Sequence, residues 1–210
     1  KLNTDIPSEQ AGTMPTAEWY DRLHGKNRWR SLSIISLAIG QGEIGSTPLH
    51  LANLAATIAN RGWYYTPHLQ KDMPDNPIDS RFTERHYTMV DTTWFEYAAE
   101  GMYLAVNGGP GATGRLASVP GLDICGKTGT AQNPHGNDHS VFICFAPKDD
   151  PKIAVAAYIE NAGFGSTWAC PISALLVEKY LNGEISEGRK WLETNMMNGY
   201  LLNRVNVRRR

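Results

Sequence analysis

The fold of this chain is decided by the stretch Gly121-Leu122-Asp123-Ile124-Cys125-Gly126-Lys127-Thr128-Gly129-Thr130, in the second half of its 210 residues. Residues 122–125 alternate as a strand does. A polar connection follows, and then two segments, 141–146 and 153–159, that are apolar on both faces and separated by a tight turn. This pattern predicts an antiparallel pair of strands with helices on either side.

Three helices are predicted around these strands. The first is capped by Thr47 and ended by Gly62, the second starts at a capping box at Thr93, and the third runs from Pro171 to Gly183. Their apolar stripes are Leu51, Leu54, Ala55 and Ile58; Phe95, Ala98, Ala99, Met102 and Val106; and Ile172, Leu175, Leu176 and Tyr180. Helices and antiparallel strands together indicate an α+β fold.

One interpretation of the opening stretch is a phosphate-binding loop. Residues 121–128 match the P-loop pattern G-x-x-x-x-G-K-[ST]. A P-loop needs an apolar strand before its first glycine and a helix that begins at its lysine. Pro120 stands directly before the first glycine, and three helix breakers follow the lysine: Gly129, Pro134 and Gly136. Nucleotide binding is therefore the weaker hypothesis.

The other interpretation is a strand at the edge of an active site, because Lys127-Thr128-Gly129-Thr130 resembles the third signature motif of penicillin-binding proteins and serine β-lactamases. Thr128 and Thr130 share one face of a strand and can direct both hydroxyls at a substrate carboxylate, while Lys127 adds positive charge. Gly129 keeps one side open, so that a peptide can lie against the backbone. The backbone N–H of Thr130 is then free to donate to a developing oxyanion. An ordinary exposed strand is the alternative.

Composition excludes several classes of protein. With 20 Lys+Arg against 21 Asp+Glu, the formal net charge is −1, which argues against a basic nucleic-acid footprint. The aromatic and basic patch at 19–30 could stack bases, but a surface loop over a neighbouring element is the simpler interpretation. No apolar run is long enough to span a bilayer, so we expect the chain as given to be soluble.

The cysteines and histidines give no sign of a metal or a cofactor. Cys125, Cys144 and Cys170 lack any Cys-x-x-Cys spacing, and we expect them to be small buried residues. His135 and His139 have no third well-spaced ligand, so their segment is predicted to be a polar hairpin connection rather than a zinc site.

Four segments together resemble the transpeptidase domain of class B penicillin-binding proteins. They are Gly40-Gln41-Gly42-Glu43, Thr47-Pro48-Leu49-His50-Leu51-Ala52, Ala59-Asn60-Arg61-Gly62 and Gly126-Lys127-Thr128-Gly129-Thr130-Ala131-Gln132. The order and spacing match across roughly residues 1–183, which leaves 184–210 as a weakly helical tail. Residues 5–9 and 133–136 are most similar to penicillin-binding protein 2, the elongation-type enzyme, of the kind found in Bacteroides-like bacteria.

The resemblance implies a penicillin-binding/β-lactamase-like fold and a peptidoglycan D,D-transpeptidase. In that family a serine of a Ser-x-x-Lys motif attacks the penultimate D-Ala carbonyl of a stem peptide, releases the last D-Ala and passes the acyl group to an amine. By this resemblance Lys127, Thr128, Gly129 and Thr130 bind the terminal carboxylate and complete the oxyanion hole. β-Lactam antibiotics enter the same site as substrate mimics.

The sequence lacks two motifs of the family. No serine is followed three places later by lysine, and the Ser-x-Asn motif, which in the family lines the site opposite the Lys-Thr-Gly strand, does not occur. We therefore assign no nucleophile, and we expect Ser33, Ser36, Ser46 and Ser140 to be structural or loop residues. In the family both motifs lie upstream of the Lys-Thr-Gly strand, further upstream than this chain extends, so we interpret the chain as the C-terminal half of a transpeptidase domain that is inactive alone.

The resemblance also implies partners and a location. The family is anchored in the inner membrane, faces the periplasm and works with membrane proteins of cell elongation. Its sheet has five antiparallel strands, and the strand at 153–159 pairs with one from the N-terminal half. Without that half the edge is open and apolar, so we expect self-association there. A serine β-lactamase, a β-lactam sensor and a non-enzymatic scaffold are the alternatives.

Overall fold

Residues 1–201, the part of the chain that the computed structural model describes, contain five α-helices, five β-strands and four 3-10 helices. The helices are α1 (Ala17–His24), α2 (Pro48–Ala59), α3 (Thr92–Asn107), α4 (Ala169–Asn182) and α5 (Lys190–Met197). The strands are β1 (Trp63–Tyr64), β2 (His86–Tyr87), β3 (Cys125–Ala131), β4 (His139–Ala146) and β5 (Ile153–Ile159). The predicted α+β class is confirmed. Within these residues, no helix has both the length and the apolar composition needed to cross a membrane.

The three long strands form one antiparallel sheet in the order β3-β4-β5. Both faces of this sheet are covered. On one face Phe142 of β4 packs in a cluster with Val177 of α4. On the other face Phe145 of β4 packs with Ala59 of α2 and Met102 of α3. Even and odd residues of β4 therefore belong to different cores, as predicted for strands apolar on both faces.

The core face of α4 differs from the prediction. The helix begins at Ala169, before the predicted Pro171, but it ends as predicted at Gly183, whose φ of 79° is left-handed. Two residues of the predicted stripe, Leu176 and Tyr180, are 53% and 64% exposed. The buried residues are instead Ala169, Cys170, Pro171, Ser173, Ala174, Val177 and Glu178. Most of these side chains are small, which lets the helix lie close to the sheet.

The N-terminal caps of α2 and α3, the helices on the other face of the sheet, differ in part from the prediction. Thr47 caps α2 as predicted, but His50 is not simply solvated: its Nδ1 accepts from the Thr47 N–H at 3.2 Å and closes a capping box. The cap of α3 is Asp91 rather than Thr93, because the Asp91 carboxylate accepts from the Thr93 N–H at 2.8 Å. The predicted core residue Leu54 is 48% exposed.

The segment after α4 is held by a buried carboxylate. Glu178 is fully buried and accepts from the Ser186 hydroxyl at 2.7 Å and from Arg189 Nε at 2.9 Å. Leu192 of α5 is also buried. The boundary at residue 183 stays a prediction, but the described part of the predicted tail packs on the domain. The arginines at 208–210 lie outside the described residues.

The aromatic and basic patch near the N-terminus forms a small core of its own. Tyr20 of α1 is 2% exposed, and its ring contacts those of Trp19, His24 and Trp29 at centroid distances of 5.2–5.7 Å. The Trp29 Nε1–H donates to Asp21 at 2.8 Å. Because these rings pack on one another, the patch is not an open stacking surface for bases.

Candidate functional site

The central lysine of the motif lies in the middle of a strand. β3 begins at Cys125, so residues 122–124 form the turn before it rather than the predicted strand, and Asp123 has a positive φ of 41°. Lys127 is followed by four more strand residues, whereas a P-loop requires a helix there. The P-loop interpretation is therefore wrong.

β3 presents one backbone edge away from its partner strand. The Thr130 carbonyl accepts a hydrogen bond of 2.7 Å from the side chain of Gln41, not from β4. In an antiparallel ladder the N–H and C=O of one residue point to the same side. The Thr130 N–H therefore faces the same outer edge, which is the orientation that its predicted role in an oxyanion hole requires.

The two threonines share a face, and each hydroxyl has a protein partner. Thr128 pairs with Phe142 and Thr130 with Ser140, and paired residues lie on one face of a sheet. The Thr128 hydroxyl donates to the hydroxyl of Thr113 at 3.1 Å. The Thr130 hydroxyl accepts from a backbone N–H, that of Gly165, at 3.4 Å.

Lys127 and Gly129 lie on the opposite face of β3 from the threonines. The Lys127 ammonium is exposed and donates to the Thr128 carbonyl at 2.8 Å, so its charge stays beside the outer edge. The nearest neighbour of a side chain at Gly129 would be Val141, whose Cβ would lie 3.3 Å from the added Cβ. On this face the strand therefore carries no side chain at residue 129.

A close crossing of two chain segments fixes the threonine face. A Cβ at Gly165 would stand 2.2 Å from the Gly129 carbonyl oxygen and 2.3 Å from that of Val141, so only glycine fits there. Ser140 is fully buried; its hydroxyl donates to the Phe164 carbonyl at 2.9 Å and accepts from the Ala169 N–H at 3.1 Å. These bonds fit the structural role expected of Ser140.

A cleft of about 370 Å³ adjoins the threonine face. Its lining residues are Ala112, Thr113, Arg115, Leu116, Ser166 and Thr167. Thr113 joins the cleft to the site through its hydrogen bond with Thr128. Hydroxyl groups and one guanidinium face this space, so it suits a polar or anionic group.

The sequence interpretation missed three residues that contact the motif. Gln41, Thr113 and Gly165 reach β3 from segments far away along the chain. Gln41 stood inside the Gly-Gln-Gly-Glu segment that carried the resemblance, but nothing in that pattern indicated its target. Thr113 and Gly165 lie in glycine-containing loops, which carry no periodic signal.

The histidine loop is a hydrogen-bonded turn. The Asn133 N–H donates to the Asp138 carboxylate at 3.1 Å, and the Asn161 N–H donates to Nδ1 of His139 at 3.0 Å. His135 donates through its own N–H to the Asn133 side chain at 3.0 Å. Within residues 1–201, no three His, Cys, Asp or Glu side chains are grouped so as to hold a metal ion.

The cysteines are fully buried and free, as predicted. Burial raises the pKa of both the Cys125 and the Cys170 thiol to about 12, and it raises the pKa of the Cys144 thiol further. Since the thiolate is the reactive form, none of the three is a nucleophile near neutral pH.

Comparison with known families decides the relationship. Residues 1–179 match the family model described as the penicillin binding protein transpeptidase domain. The chain belongs to this family. It is 32% identical over 206 residues to the peptidoglycan D,D-transpeptidase MrdA of Haemophilus influenzae, covering 89% of this chain and 31% of that protein. The chain thus spans about a third of the length of this transpeptidase relative.

Solved structures of the transpeptidase family share the fold. The chain is 33% identical to Pseudomonas aeruginosa PBP2 in complex with WCK 5153, with a TM-score of 0.74. The match covers 88% of this chain and 40% of the PBP2 chain. The chain is also 33% identical to penicillin-binding protein A from Mycobacterium tuberculosis in an imipenem acyl-enzyme complex, with a TM-score of 0.58, covering 70% and 33%. This sheet and its helices are therefore those of the family.

Proposed function

We propose that the native protein carrying this chain is a peptidoglycan D,D-transpeptidase that works through an acyl-serine intermediate. The outer edge of β3 carries the proposal: it presents the Thr130 N–H, and the Lys127 ammonium lies beside the same edge. Family membership and the similarity to MrdA of Haemophilus influenzae support it.

Each residue of the motif has a separate proposed role. The Thr130 N–H donates to the oxyanion that develops when the serine attacks, and it stabilises charge that is absent in the ground state. Lys127 and the hydroxyls of Thr128 and Thr130 bind the terminal carboxylate of the stem peptide. Gly129 leaves the strand backbone accessible to the peptide. We place the nucleophile in a part of the protein other than these 210 residues.

The finer features of the family are also part of the proposal. β-Lactams acylate the same serine; penicillin-binding protein A of Mycobacterium tuberculosis forms an acyl-enzyme complex with imipenem, which supports this part of the proposal. We propose a penicillin-binding protein 2 of the elongation type, of a Bacteroides-like bacterium, anchored in the inner membrane and facing the periplasm. Its partners are membrane proteins of cell elongation.

Labelling with a fluorescent penicillin tests the proposed function. The native protein should show a labelled band on a denaturing gel, and the 210-residue chain alone should show none. Lys127→Ala in the native protein should slow labelling roughly 100-fold, on the scale of a lost electrostatic contact in a catalytic site. Lys152→Ala is the matched control, because its ion pair with Asp150 is on the surface, and it should label normally.

Two outcomes favour the alternatives. Rapid loss of the label indicates a β-lactamase, because a β-lactamase hydrolyses its penicillin acyl-enzyme quickly and a transpeptidase hydrolyses it slowly. Absence of labelling together with partner binding that survives Lys127→Ala indicates a non-enzymatic scaffold. A labelled 210-residue chain refutes our placement of the nucleophile outside it.

A further inference from the structure

Gln41 bonds to the outer edge of β3 as a neighbouring strand would. Its Nε2 donates to the Thr130 carbonyl at 2.7 Å, and its Oε1 accepts from the Gln132 N–H at 3.4 Å. One side-chain amide thus supplies a donor and an acceptor to two backbone groups of an edge strand. The Thr130 N–H, which precedes both of these bonds along the strand, is left facing outward.

The backbone around Gln41 is shaped to present this side chain. Gly40 ends the 3-10 helix Ser31–Ile39 with φ of 72°, and Gly42 has φ of 73°. Both values favour glycine. A Cβ at Gly42 would also stand 2.5 Å from the Ser36 hydroxyl oxygen. The two glycines that flank Gln41 therefore set the turn that directs the Gln41 amide toward β3.

The turn is anchored on its far side. The Tyr20 hydroxyl donates to the Glu43 carboxylate at 2.7 Å. Burial and the Glu43 carboxylate raise the pKa of Tyr20 to about 12, so the hydroxyl stays protonated and remains a donor. Thr13 and Gly45 exchange two backbone hydrogen bonds of 2.8 and 3.0 Å. The small aromatic core of α1 thus supports the segment that carries Gln41.

From these contacts we propose that Gln41 is a positioning residue for the transpeptidase site. Its two hydrogen bonds hold the 130–132 backbone in place, and this fixes the direction of the Thr130 N–H in the oxyanion hole. The proposal rests on the proposed function for its catalytic consequence. The hold on the strand is a property of this chain and is measured separately.

Amide exchange in the 210-residue chain tests the hold directly. Gln41→Ala should speed exchange at Gln132 about threefold to tenfold, as expected for one lost hydrogen bond. Gln70→Ala is the matched control, because the Gln70 amide bonds to the Pro77 carbonyl and not to β3; it should leave exchange at Gln132 unchanged. Unchanged exchange in Gln41→Ala overturns the proposal.

Acylation kinetics in the native protein test the consequence. A misplaced N–H should slow acylation by penicillin roughly tenfold, while the affinity of the preceding noncovalent complex changes less than about threefold. Gln41→Glu should behave similarly, because its carboxylate cannot donate to the Thr130 carbonyl. Faster acylation in Gln41→Ala would overturn the proposal, since the amide would then be a competitor of the substrate.

A variant that leaves Gln41 intact tests whether the position of its side chain matters apart from the presence of its amide. Tyr20→Phe removes the bond to Glu43 and should loosen the turn, with a smaller change in the same direction for both exchange and acylation. If Tyr20→Phe alters global unfolding but not exchange at Gln132, the anchoring part of the proposal fails. A wild-type protein that forms no acyl-enzyme refutes the proposed function, and the exchange result then decides the inference alone.

Discussion

The two outer strands of the sheet end in very different edges. The edge of β3 carries threonines, glycine and lysine, and a single side-chain amide from Gln41 bonds to it. The edge of β5 carries Ile, Val, Ala and Tyr, and among residues 1–201 no further strand pairs with it. One edge is polar and partly held, and the other is apolar and open.

This difference shows what each edge is suited to bind. A strand edge offers a row of backbone donors and acceptors to any extended chain. On β3 the Gln41 amide already occupies part of the edge, so only a short stretch of backbone donors and acceptors remains for another chain. A short stretch of this kind, with small polar residues, suits a brief contact with a substrate. On β5 the apolar residues favour a lasting pairing with another strand, and for the isolated 210-residue chain we propose that this strand comes from a second copy.

Proline on β5 should have the largest effect. Because the Thr130 carbonyl faces outward, its partner Ser140 directs its peptide groups toward β5. By alternation along β5, Val155 bonds to β4 and Ala156 faces outward. Val155→Pro should cost about 3 kcal/mol of unfolding free energy, the upper end for a buried unsatisfied group. Ala156→Pro should cost much less and abolish self-association. Urea unfolding and sedimentation velocity measure the two quantities.

Two results would break the comparison of the edges. The alternation is wrong if the two prolines lower the unfolding free energy equally. The open edge of β5 is not an association site if the wild-type chain is a monomer at every concentration and amide exchange is rapid throughout 153–159.

A methyl group on β3 should have the next largest effect. A Cβ at Gly126 would stand 2.3 Å from Cζ of the Phe142 ring, in the buried core. Gly126→Ala should therefore lower the unfolding free energy by about 2 kcal/mol through overpacking. Gly101→Ala in α3 is the control of opposite sign, since nothing lies within 4 Å of its added methyl group and alanine favours the helix. Equal effects in thermal unfolding would show that β3 is not pressed against the core.

The smallest effect is expected where the polar edge meets its neighbouring loop. The hydroxyls of Thr128 and Thr113 are 3.1 Å apart, on a partly exposed surface. A double-mutant cycle of Thr113→Val and Thr128→Val should give a coupling of about 0.5–1 kcal/mol in urea unfolding. A coupling near zero would mean that the hydrogen bond between Thr113 and Thr128 does not stabilise this face of β3.

Local sequence signals predicted the elements whose bonds and packing are local. The limits of β5 agree with the predicted 153–159, and β4 extends only two residues before the predicted 141–146. The cap at Thr47 and the end of α4 at Gly183 also depend on neighbouring residues alone. The prediction of the buried face of α4 was wrong. It was based on apolar residues such as Leu176 and Tyr180, whereas the residues that pack closely on the sheet are mostly small.

The candidate site divides in the same way. The strand position of Lys127, Thr128, Gly129 and Thr130 was predicted from the motif, whereas the alternation pointed to 122–125, of which only Cys125 lies in β3. The contact of Gln41 with Thr130 joins residues 89 positions apart. No pattern in a single sequence encodes such a pairing, because it depends on where two loops end in space. The polar edge of β3 was therefore predicted from the sequence, but the contact with Gln41 was not.

The buried Glu178 carboxylate bears on where this domain ends. The family match stops at residue 179 and the predicted boundary was 183, yet the donors to Glu178 from Ser186 and Arg189 come later in the chain. Arg189 also donates to the carbonyls of Ser118 and Leu116, so one guanidinium joins α4 to the loop before β3. A chain cut at either boundary would keep the buried acid and lose these partners. The contacts of α4 therefore extend beyond the residues that match the family.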